Sequence, residues 1–318
     1  MNAFLSFLGR HVMTAMVAGV FIGLLVPPLA TFMRPLLAPS VWVLLLVSLL
    51  RVDVGEGLNH LSRLGRILVL LFCFLVILPI AMHAVLGFTS LPGGVVEAMV
   101  LAAGSSVLIS TPTFALLMGL DGAIVLLVML GSTLLLPLTL PTVALLLLDL
   151  QLEMNNWELM GRLILLIGSA LVLAAIIRKS FGEVRIKNSA RALDGVAVIT
   201  LIIFAVAIMD GFANRLLAEP GFILFVTAMS FLVYLGLLIV MAIALSFIVP
   251  GWGRTVNLSI AFAAGARNLG VIMAVLPANV DPNMLVYFAA GQFPIYIMPA
   301  VLRPVMLRMV GKSDKGVD

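Results

Sequence analysis

Charged residues are scarce in this sequence of 318 residues. Asp, Glu, Lys and Arg together make up 10% of it, whereas 63% is hydrophobic, and the mean hydropathy is +1.28. Soluble globular domains carry about 25% charged residues, so this composition excludes the soluble class. It is typical of a protein that crosses a lipid bilayer many times.

Cysteine and histidine are nearly absent as well. Cys73 is the one cysteine, which excludes a disulfide framework, and the three histidines stand in unrelated places, which excludes a metal site built on their spacing. No Gly-x-Ser-x-Gly elbow is present, so we expect no enzyme. The net charge of +4 comes without a basic face or an aromatic nucleic-acid module, and we expect no nucleic-acid partner.

Apolar runs dominate the chain instead. A run of about 20 apolar residues crosses the hydrocarbon core as a helix, and we identify ten such spans, of which the fourth and ninth are interrupted. They cover residues 11–30, 35–52, 66–88, 93–119, 121–148, 159–178, 194–214, 221–249, 254–278 and 282–308. The connections are too short for a soluble domain, so we expect a single all-α integral membrane unit.

The basic residues are distributed unevenly between these connections. If the N-terminus is cytoplasmic, the inside segments hold fourteen of the eighteen Lys and Arg residues, as the positive-inside rule predicts. The outer side then holds Arg34, Arg162 and Arg215, and Arg267 lies within the membrane. We expect a multi-pass protein of the plasma membrane, the inner membrane in a bacterium, with both termini cytoplasmic.

The two halves of the chain carry a weak internal repeat. LAAGSSVLI (101–109) aligns with FAAGARNLG (262–270) at an offset of 161 residues, and an aspartate, Asp121 or Asp281, then begins a further span in each half. Each of those spans has two prolines, which are Pro137 and Pro141 in one and Pro294 and Pro299 in the other. Five helices per half is an odd number, so the two copies insert in opposite orientations. The alternative is a chance match of a common membrane tripeptide.

The interruptions of the fourth and ninth spans occupy corresponding positions of the two copies. The residues expected to break the helices are Gly104, Pro112, Gly265 and Gly270. Unwound backbone at this depth is tolerated where it is buried in protein or lines a cavity, so the breaks predict a substrate site. Its predicted residues are Ser105, Ser106, Ser110, Thr111, Thr113, Arg267, Asn268 and Gln292, with Tyr296 near Gln292. Alternatively, the hydroxyl groups bond back to their own helices.

This layout resembles the bile acid:sodium symporter family, whose superfamily also includes arsenite exporters and auxin carriers. The resemblance rests on ten spans, five-plus-five inverted repeats, broken fourth and ninth helices, and the Gly-x-x-Asn core at Gly265 to Asn268. It implies that residues 1–150 and 151–318 are the two repeats and that the chain forms a panel domain and a core domain. It also implies that the broken helices cross in the core, and that the substrate is an organic anion.

The sequence departs from the sodium-coupled members at the positions that bind the ion. Their ninth helix reads Glu-x-Gly-Met-Gln-Asn, but here Ala263 replaces the acidic ligand and Arg267 replaces the glutamine. The other matched ligand positions are Thr111, Pro112, Val125 and Met129. Because a hard cation needs several oxygen ligands, we expect no sodium coupling, no other metal and no cofactor.

Arg267 has three interpretations. An arginine at mid-membrane costs at least about 2.5–3.5 kcal/mol, so it faces the protein interior and has partners. Its guanidinium replaces the sodium ion and holds the crossing through carbonyls and Asn268, or it binds an anionic substrate, or it pairs with Glu97 or Asp210. Glu97, Asp210 and His83 are expected near the membrane interfaces, where they are poor candidates for proton coupling.

These observations predict a secondary active transporter of a small organic anion that works by alternating access without sodium. Its expected partners are the lipid bilayer and the substrate, and the oligomeric state stays open. One alternative is a sodium-coupled symporter whose ion site is rebuilt from groups such as Ser132, Ser259 and Asn268. Another is an anion channel, although a single buried arginine supplies no ring of charge.

Overall fold

The computed structural model of the protein describes residues 12–51, 64–148, 155–248, 251–277 and 279–311, and the regular structure in these ranges is helical. A 3₁₀ turn, Arg34–Leu36, joins α2 to α3, and a π-helical turn, Cys73–Ile77, joins α4 to α5. The helices are α1 Val12–Leu25, α2 Pro27–Met33, α3 Leu37–Arg51, α4 Leu64–Phe72, α5 Leu78–Leu86, α6 Gly93–Gly104, α7 Thr111–Leu117, α8 Gly122–Leu147, α9 Asn156–Asn188, α10 Ala190–Ala207, α11 Phe212–Ala218, α12 Pro220–Ile248, α13 Arg254–Gly265, α14 Leu269–Val275, α15 Pro282–Ala290 and α16 Gln292–Gly311.

Seven helices within the described ranges are long and apolar enough to cross a membrane. They cover Pro27–Arg51, Gly65–Leu86, Gly122–Leu147, Asn156–Asn188, Ala190–Ala218, Pro220–Phe247 and Pro282–Gly311. Each overlaps one of the ten predicted spans. The fourth and ninth predicted spans contain breaks and the first is represented by the shorter helix α1, so none of these three forms a long continuous helix. The chain is therefore an all-α, multi-pass membrane protein.

Aspartate caps start two of the helices, as predicted. The Asp121 carboxylate accepts hydrogen bonds from the backbone N–H groups of Ala123 and Ile124 at 3.0 and 3.2 Å, and Asp281 accepts from Asn283 N at 2.7 Å. The first backbone donors of a helix have no intrahelical acceptor, so these contacts stabilise the start of α8 and of α15.

The four prolines of these spans are placed differently in the two halves. Pro137 and Pro141 lie inside the continuous helix α8, as predicted. The tenth predicted span instead turns at Gly291, which separates α15 from α16, so Pro294 lies in the first turn of α16. Proline is tolerated there because the first turn needs no intrahelical N–H donor. The prediction that Pro294 interrupts a helix is therefore wrong, whereas Pro299 does lie inside one.

The helices pack as two groups, each built from both halves of the sequence. The first helix group contains α1 to α3 together with α9 and α10, and α10 packs against all three of the N-terminal helices. The second helix group contains α4 to α8 together with α12 to α16, in which α13 packs against α8 and α12, and α6 against α5 and α15. The two sequence halves are thus interleaved in one unit, and a cavity separates parts of the two groups.

Candidate functional site

Two helices of the second helix group break at the predicted places. Helix α6 ends at Gly104, residues 105–110 are non-helical, and α7 begins at Thr111. Helix α13 ends at Gly265, residues 266–268 are non-helical, and α14 begins at Leu269. The four predicted helix-breaking residues flank these segments: Gly104 and Gly265 end helices, whereas Pro112 and Gly270 are the second residues of α7 and α14.

The two glycines of the second break are required by space. A Cβ atom on Gly265 would lie 2.7 Å from the carbonyl oxygen of Tyr234, and one on Gly270 would lie 2.8 Å from Cζ of Phe204. Neither glycine has a positive φ. Their role in this structure is therefore to let α12 and α10 approach the second break closely, in addition to lowering helix propensity there.

The two breaks pair with each other. Leu108 N donates to the Ala266 carbonyl at 2.9 Å, and Asn268 N donates to the Ser106 carbonyl at 2.8 Å, which makes Val107 and Arg267 an isolated antiparallel bridge. Val107 N donates to Ser132 Oγ of α8 at 3.1 Å. Unpaired backbone groups at membrane depth cost several kcal/mol each, so these bonds make two unwound segments tolerable in the interior.

The bridge also decides which side chains face the cavity. Successive side chains of extended backbone point to opposite faces, so Val107 and Arg267 share one face while Ser106, Leu108 and Asn268 share the other. Leu108 and Asn268 line the cavity between the helix groups, whereas Arg267 points away from it and is 2% exposed. The orientation of Arg267 therefore follows from its position in the pairing register.

The Arg267 guanidinium is held by backbone carbonyls of both broken segments. Nε donates to the Ala264 carbonyl at 2.8 Å, and Nη1 donates to the Ser105 carbonyl at 2.9 Å. The guanidinium carbon lies 4.6 Å from the centre of the Phe74 ring, which belongs to the π-helical turn. Nη2 has no hydrogen-bond partner among the described residues. The cation thus ties the second break to the first and stacks on a third element.

The alternative partners considered for Arg267 lie elsewhere. Asp210 forms an ion pair with Arg34, at 2.7 Å from Oδ2 to Nη1, and also accepts a hydrogen bond from Thr31. Within the described ranges no carboxylate lies within 4.0 Å of the Arg267 guanidinium, so neither Asp210 nor Glu97 neutralises it. The amide of Asn268 does not bind Arg267 either, because its Oδ1 accepts from Val271 N at 3.3 Å.

The cavity between the two helix groups has a volume of about 650 Å³. Helices α3 and α10 form one wall, and the first break, the start of α7, the start of α8, the start of α14 and α16 form the other. Four of the predicted binding residues line it, namely Ser110, Thr113, Asn268 and Gln292, together with Tyr296. Pockets for small organic molecules commonly measure roughly 300–1,000 Å³, so the size suits a small organic substrate.

The other four predicted binding residues do not reach this cavity. Ser105, Ser106, Thr111 and Arg267 are buried inside the second helix group and do not line it. Ser105 Oγ donates to the Ala102 carbonyl at 2.8 Å, which is the back-bonding alternative. Ser106 Oγ and Thr111 Oγ1 have no partner among the described residues, so they form a polar layer behind the cavity wall.

Two polar groups on the cavity wall carry unused hydrogen-bonding capacity. Asn268 Nδ2 and Ser110 Oγ are shielded from solvent and have no partner within the described part of the chain. Gln292 Nε2, in contrast, donates to the Phe288 carbonyl at 3.1 Å, within the preceding turn. Buried polar groups are almost always paired, so the free amide and hydroxyl favour a polar ligand at this wall.

Sequence analysis did not identify the two charged residues of the cavity. Arg51 and Asp194 both line it and form an ion pair in which Arg51 Nη1 lies 2.6 Å from Asp194 Oδ1. Arg51 was fully explained by the positive-inside rule, and the two residues are far apart in sequence. The available signal was that opposite charges end the second predicted span and begin the seventh.

The positions matched to sodium ligands remain apolar or committed in the structure. Val125 and Met129 are buried in α8, and the described residues contain no cluster of three or more His, Cys, Asp or Glu side chains. No protein-family model matches the sequence, and comparison with curated proteins gives no match.

Proposed function

We propose that the protein is a secondary active transporter of a small organic anion, which works by alternating access and does not need sodium. The observation that carries the proposal is the pairing of two broken helices at the wall of a 650 Å³ cavity between two helix groups, with a guanidinium bound between the breaks. Broken helices in corresponding positions of two repeats are typical of transporter binding sites.

The ten-span inverted repeat is part of this proposal. The hydrogen bonds Leu108 N to Ala266 O and Asn268 N to Ser106 O become each other when every residue is exchanged with the one 160 positions away. Asp121 and Asp281, which cap α8 and α15, have the same spacing of 160. A two-fold relation between inverted copies predicts such exchange, whereas a chance match of one tripeptide does not. The panel and core domains of the resembled family then correspond to the first and second helix groups.

The cavity opens toward the end of the molecule that carries Arg51 and Asp194. The predicted topology makes this end cytoplasmic in a plasma-membrane protein with cytoplasmic termini. At the opposite end, Arg162 of α9 donates to the Val275 carbonyl at 3.2 Å, and Arg215 of α11 donates to Asn283 Oδ1 of α15 at 3.0 Å. These bonds tie the second helix group to α9 and α11, so the structure corresponds to an inward-open state of the transport cycle.

Sodium independence follows from what Arg267 does at the crossing. A bound metal cation would gather carbonyl oxygens of both breaks, and the guanidinium already binds the carbonyls of Ala264 and Ser105. The hydroxyls invoked for a rebuilt ion site are already bonded: Ser132 Oγ accepts from Val107 N and donates to the Met129 carbonyl, and Ser259 Oγ accepts from Asp121 N. A fixed cation also attracts an anion into the site without a coupling ion.

The substrate contact we assign is the cavity wall, with the arginine acting from behind it. Asn268 Nδ2 and Ser110 Oγ offer hydrogen-bond donors, and the uncompensated charge of Arg267 belongs to the residue next to Asn268. A carboxylate accepts hydrogen bonds only, so a donor-rich wall next to a buried cation favours it over a neutral or cationic solute.

The test is counterflow uptake of radiolabelled small carboxylates into proteoliposomes, in sodium buffer and in choline buffer. We expect saturable uptake at equal rates in both buffers. Uptake that needs sodium would overturn the built-in cation, and non-saturable flux with measurable unitary conductance would favour the channel alternative.

A variant tests the site in the same assay. Asn268→Asp adds a negative charge at the wall and keeps the oxygen that caps Val271, so uptake at low substrate concentration should fall at least about tenfold, which corresponds to about 1.4 kcal/mol. Asn156→Asp, at the start of α9, is the matched control and should transport like the wild type. Equal uptake by both variants would contradict the assignment of Asn268.

A further inference from the structure

A second, smaller cavity lies beside the mouth of the transport cavity, where α3, α9 and α10 meet. It measures about 240 Å³ and is lined by Leu50, Arg51, Arg178, Glu183, Ile186, Lys187, Ala190 and Leu193. Three of these eight residues are cationic and one is acidic. Its volume is below the roughly 300–1,000 Å³ of pockets for drug-sized ligands, so it suits a small charged group.

The basic residues of this cavity are held in place by the ends of the helices. Arg178 Nη2 donates to the carbonyls of Leu49 and Leu50 at 3.1 Å each, which satisfies the C-terminal end of α3. Arg178 Nη1 lies 3.7 Å from Glu183 Oε1, a long pair that leaves the guanidinium only partly neutralised. The ion pair of Arg51 with Asp194 fixes the second guanidinium. Two cations are thus positioned without any bound ligand.

A bend in α9 closes the cavity on one side. Gly182 has φ 75° and ψ 155°, values that interrupt the helix and that side chains rarely adopt. No heavy atom lies within 4 Å of a Cβ built on Gly182, so the backbone conformation, not space, calls for glycine. The residues that follow bring Glu183, Ile186 and Lys187 to the cavity.

Apolar side chains surround the same bend and point outward. Phe181 is 57% exposed and Val184 is 75% exposed, and both stand between the basic residues Lys179 and Arg185. The predicted spans end at residues 52 and 178 and begin again at 194, which places the bend at headgroup depth. Exposed apolar side chains alternating with basic ones at this depth are typical of contact with an anionic membrane surface.

We propose that this cavity binds the phosphate-bearing headgroup of an anionic phospholipid, with Arg178, Lys187 and Arg51 around the phosphate and Phe181 and Val184 against the acyl chains. Basic pockets between membrane helices on the cytoplasmic side are known to suit such headgroups. Free phosphate has the same charge chemistry but gains nothing from the two exposed apolar side chains. The site is independent of which substrate is transported.

The test measures the melting temperature of the purified full-length protein in a neutral detergent during titration with short-chain phosphatidylglycerol. We expect a saturable rise in Tm with phosphatidylglycerol and none with phosphatidylcholine of equal chain length, because a ligand that binds only the folded state stabilises it. Lys187→Gln should raise the half-saturating concentration about fivefold, which is the effect of one basic residue near an anionic headgroup. Arg308→Gln, which removes an exposed cation of α16 far from this cavity, should leave it unchanged.

Three outcomes would overturn the proposal. Equal shifts with phosphatidylcholine would mean that the acyl chains alone stabilise the protein. Equal losses in Lys187→Gln and Arg308→Gln would mean that diffuse surface charge attracts the lipid. An equal shift with inorganic phosphate would identify a free anion as the occupant. Because the measurement involves no transport, its failure would leave the proposed transport function untouched.

Discussion

The two broken segments at the crossing differ in length, charge and orientation. The first break, residues 105–110, is neutral and presents Ser110 to the cavity, and it supplies the Ser105 carbonyl to the guanidinium. The second break, residues 266–268, is half as long and contains Arg267, which turns away from the cavity and binds carbonyls of both segments. The second break therefore fastens the crossing, whereas the first break mainly offers polar groups to a ligand.

This difference explains how a buried charge is tolerated near a cavity for a small solute. The guanidinium spends two of its donor groups on carbonyls and its face on Phe74, so it needs no carboxylate partner to remain in the interior. Its positive charge is consequently not cancelled by a neighbouring acid and acts through Asn268 on the cavity. If the comparison is right, changes in the second break should lower stability most, and changes in the first should mainly alter transport.

Removing the fastening cation should have the largest effect. Arg267→Met keeps a long apolar side chain but leaves the carbonyls of Ala264 and Ser105 without their donor. Each buried unsatisfied acceptor costs about 1–3 kcal/mol, so the free energy of unfolding should fall by about 2–6 kcal/mol and Tm with it. The measurement is a thermal melt of the detergent-purified protein. The control is Arg303→Met, whose guanidinium bonds the Leu117 carbonyl at an exposed position. A similar Tm for both variants would show that Arg267 does not fasten the crossing.

The acceptor that α8 provides to the first break should come next. Ser132→Ala removes the oxygen that accepts from Val107 N in the buried bridge, which should cost about 1–3 kcal/mol of unfolding free energy. Ser246→Ala is the control, because Ser246 is exposed and its hydroxyl bonds only its own helix at the Ile243 carbonyl. We expect a lowered Tm for the first variant and an unchanged Tm for the second. Equal melting temperatures would mean that the bridge backbone finds another acceptor.

Stacking of the guanidinium on Phe74 should contribute less. Phe74→Leu removes the aromatic face while keeping an apolar side chain, and desolvated cation–π contacts are worth about 2 kcal/mol. Phe262→Leu is an equally buried control on α13 for which no cation contact is found within the described residues. The informative quantity is the difference between the two losses, measured again after Arg267→Met in a double-mutant cycle. If the Phe74 loss is the same with and without Arg267, the stacking carries no energy.

Local signals in the sequence predicted the breaks, but not the side to which their side chains point. Gly104 and Gly265 end helices as expected, and Asp121 caps α8, because these features depend on neighbours in the chain. Arg267 was expected equally at the ion position and in the substrate site. Its orientation depends on the register with Val107, a pairing across 160 residues that no local pattern encodes.

Long-range pairs account for the rest of what the sequence did not show. Arg51 obeys the positive-inside rule by itself, so nothing in the sequence pointed to its contact with Asp194 or to its place in the cavity. Likewise Ser110 and Ser106 are equivalent in sequence terms, and only the packing of the second helix group separates a cavity-lining hydroxyl from a fully buried one.

That pair of serines provides the finest test of the division between fastening and presenting. Ser110→Ala removes an unpartnered hydroxyl from the cavity wall, and Ser106→Ala removes one from the layer behind it. Neither change breaks a hydrogen bond seen among the described residues, so both proteins should melt within about 1 °C of the wild type, since surface-like losses are within about 0.5 kcal/mol. A neutral hydrogen bond to the substrate is worth about 0.5–1.5 kcal/mol, so Ser110→Ala should raise the KM for the carboxylate about twofold to tenfold with little change in maximal rate. Ser106→Ala should leave KM within twofold of the wild type, because its hydroxyl does not line the cavity. If Ser106→Ala raises KM as much as Ser110→Ala, the ligand penetrates behind the wall, and the first break fastens the substrate as well as presenting polar groups to it.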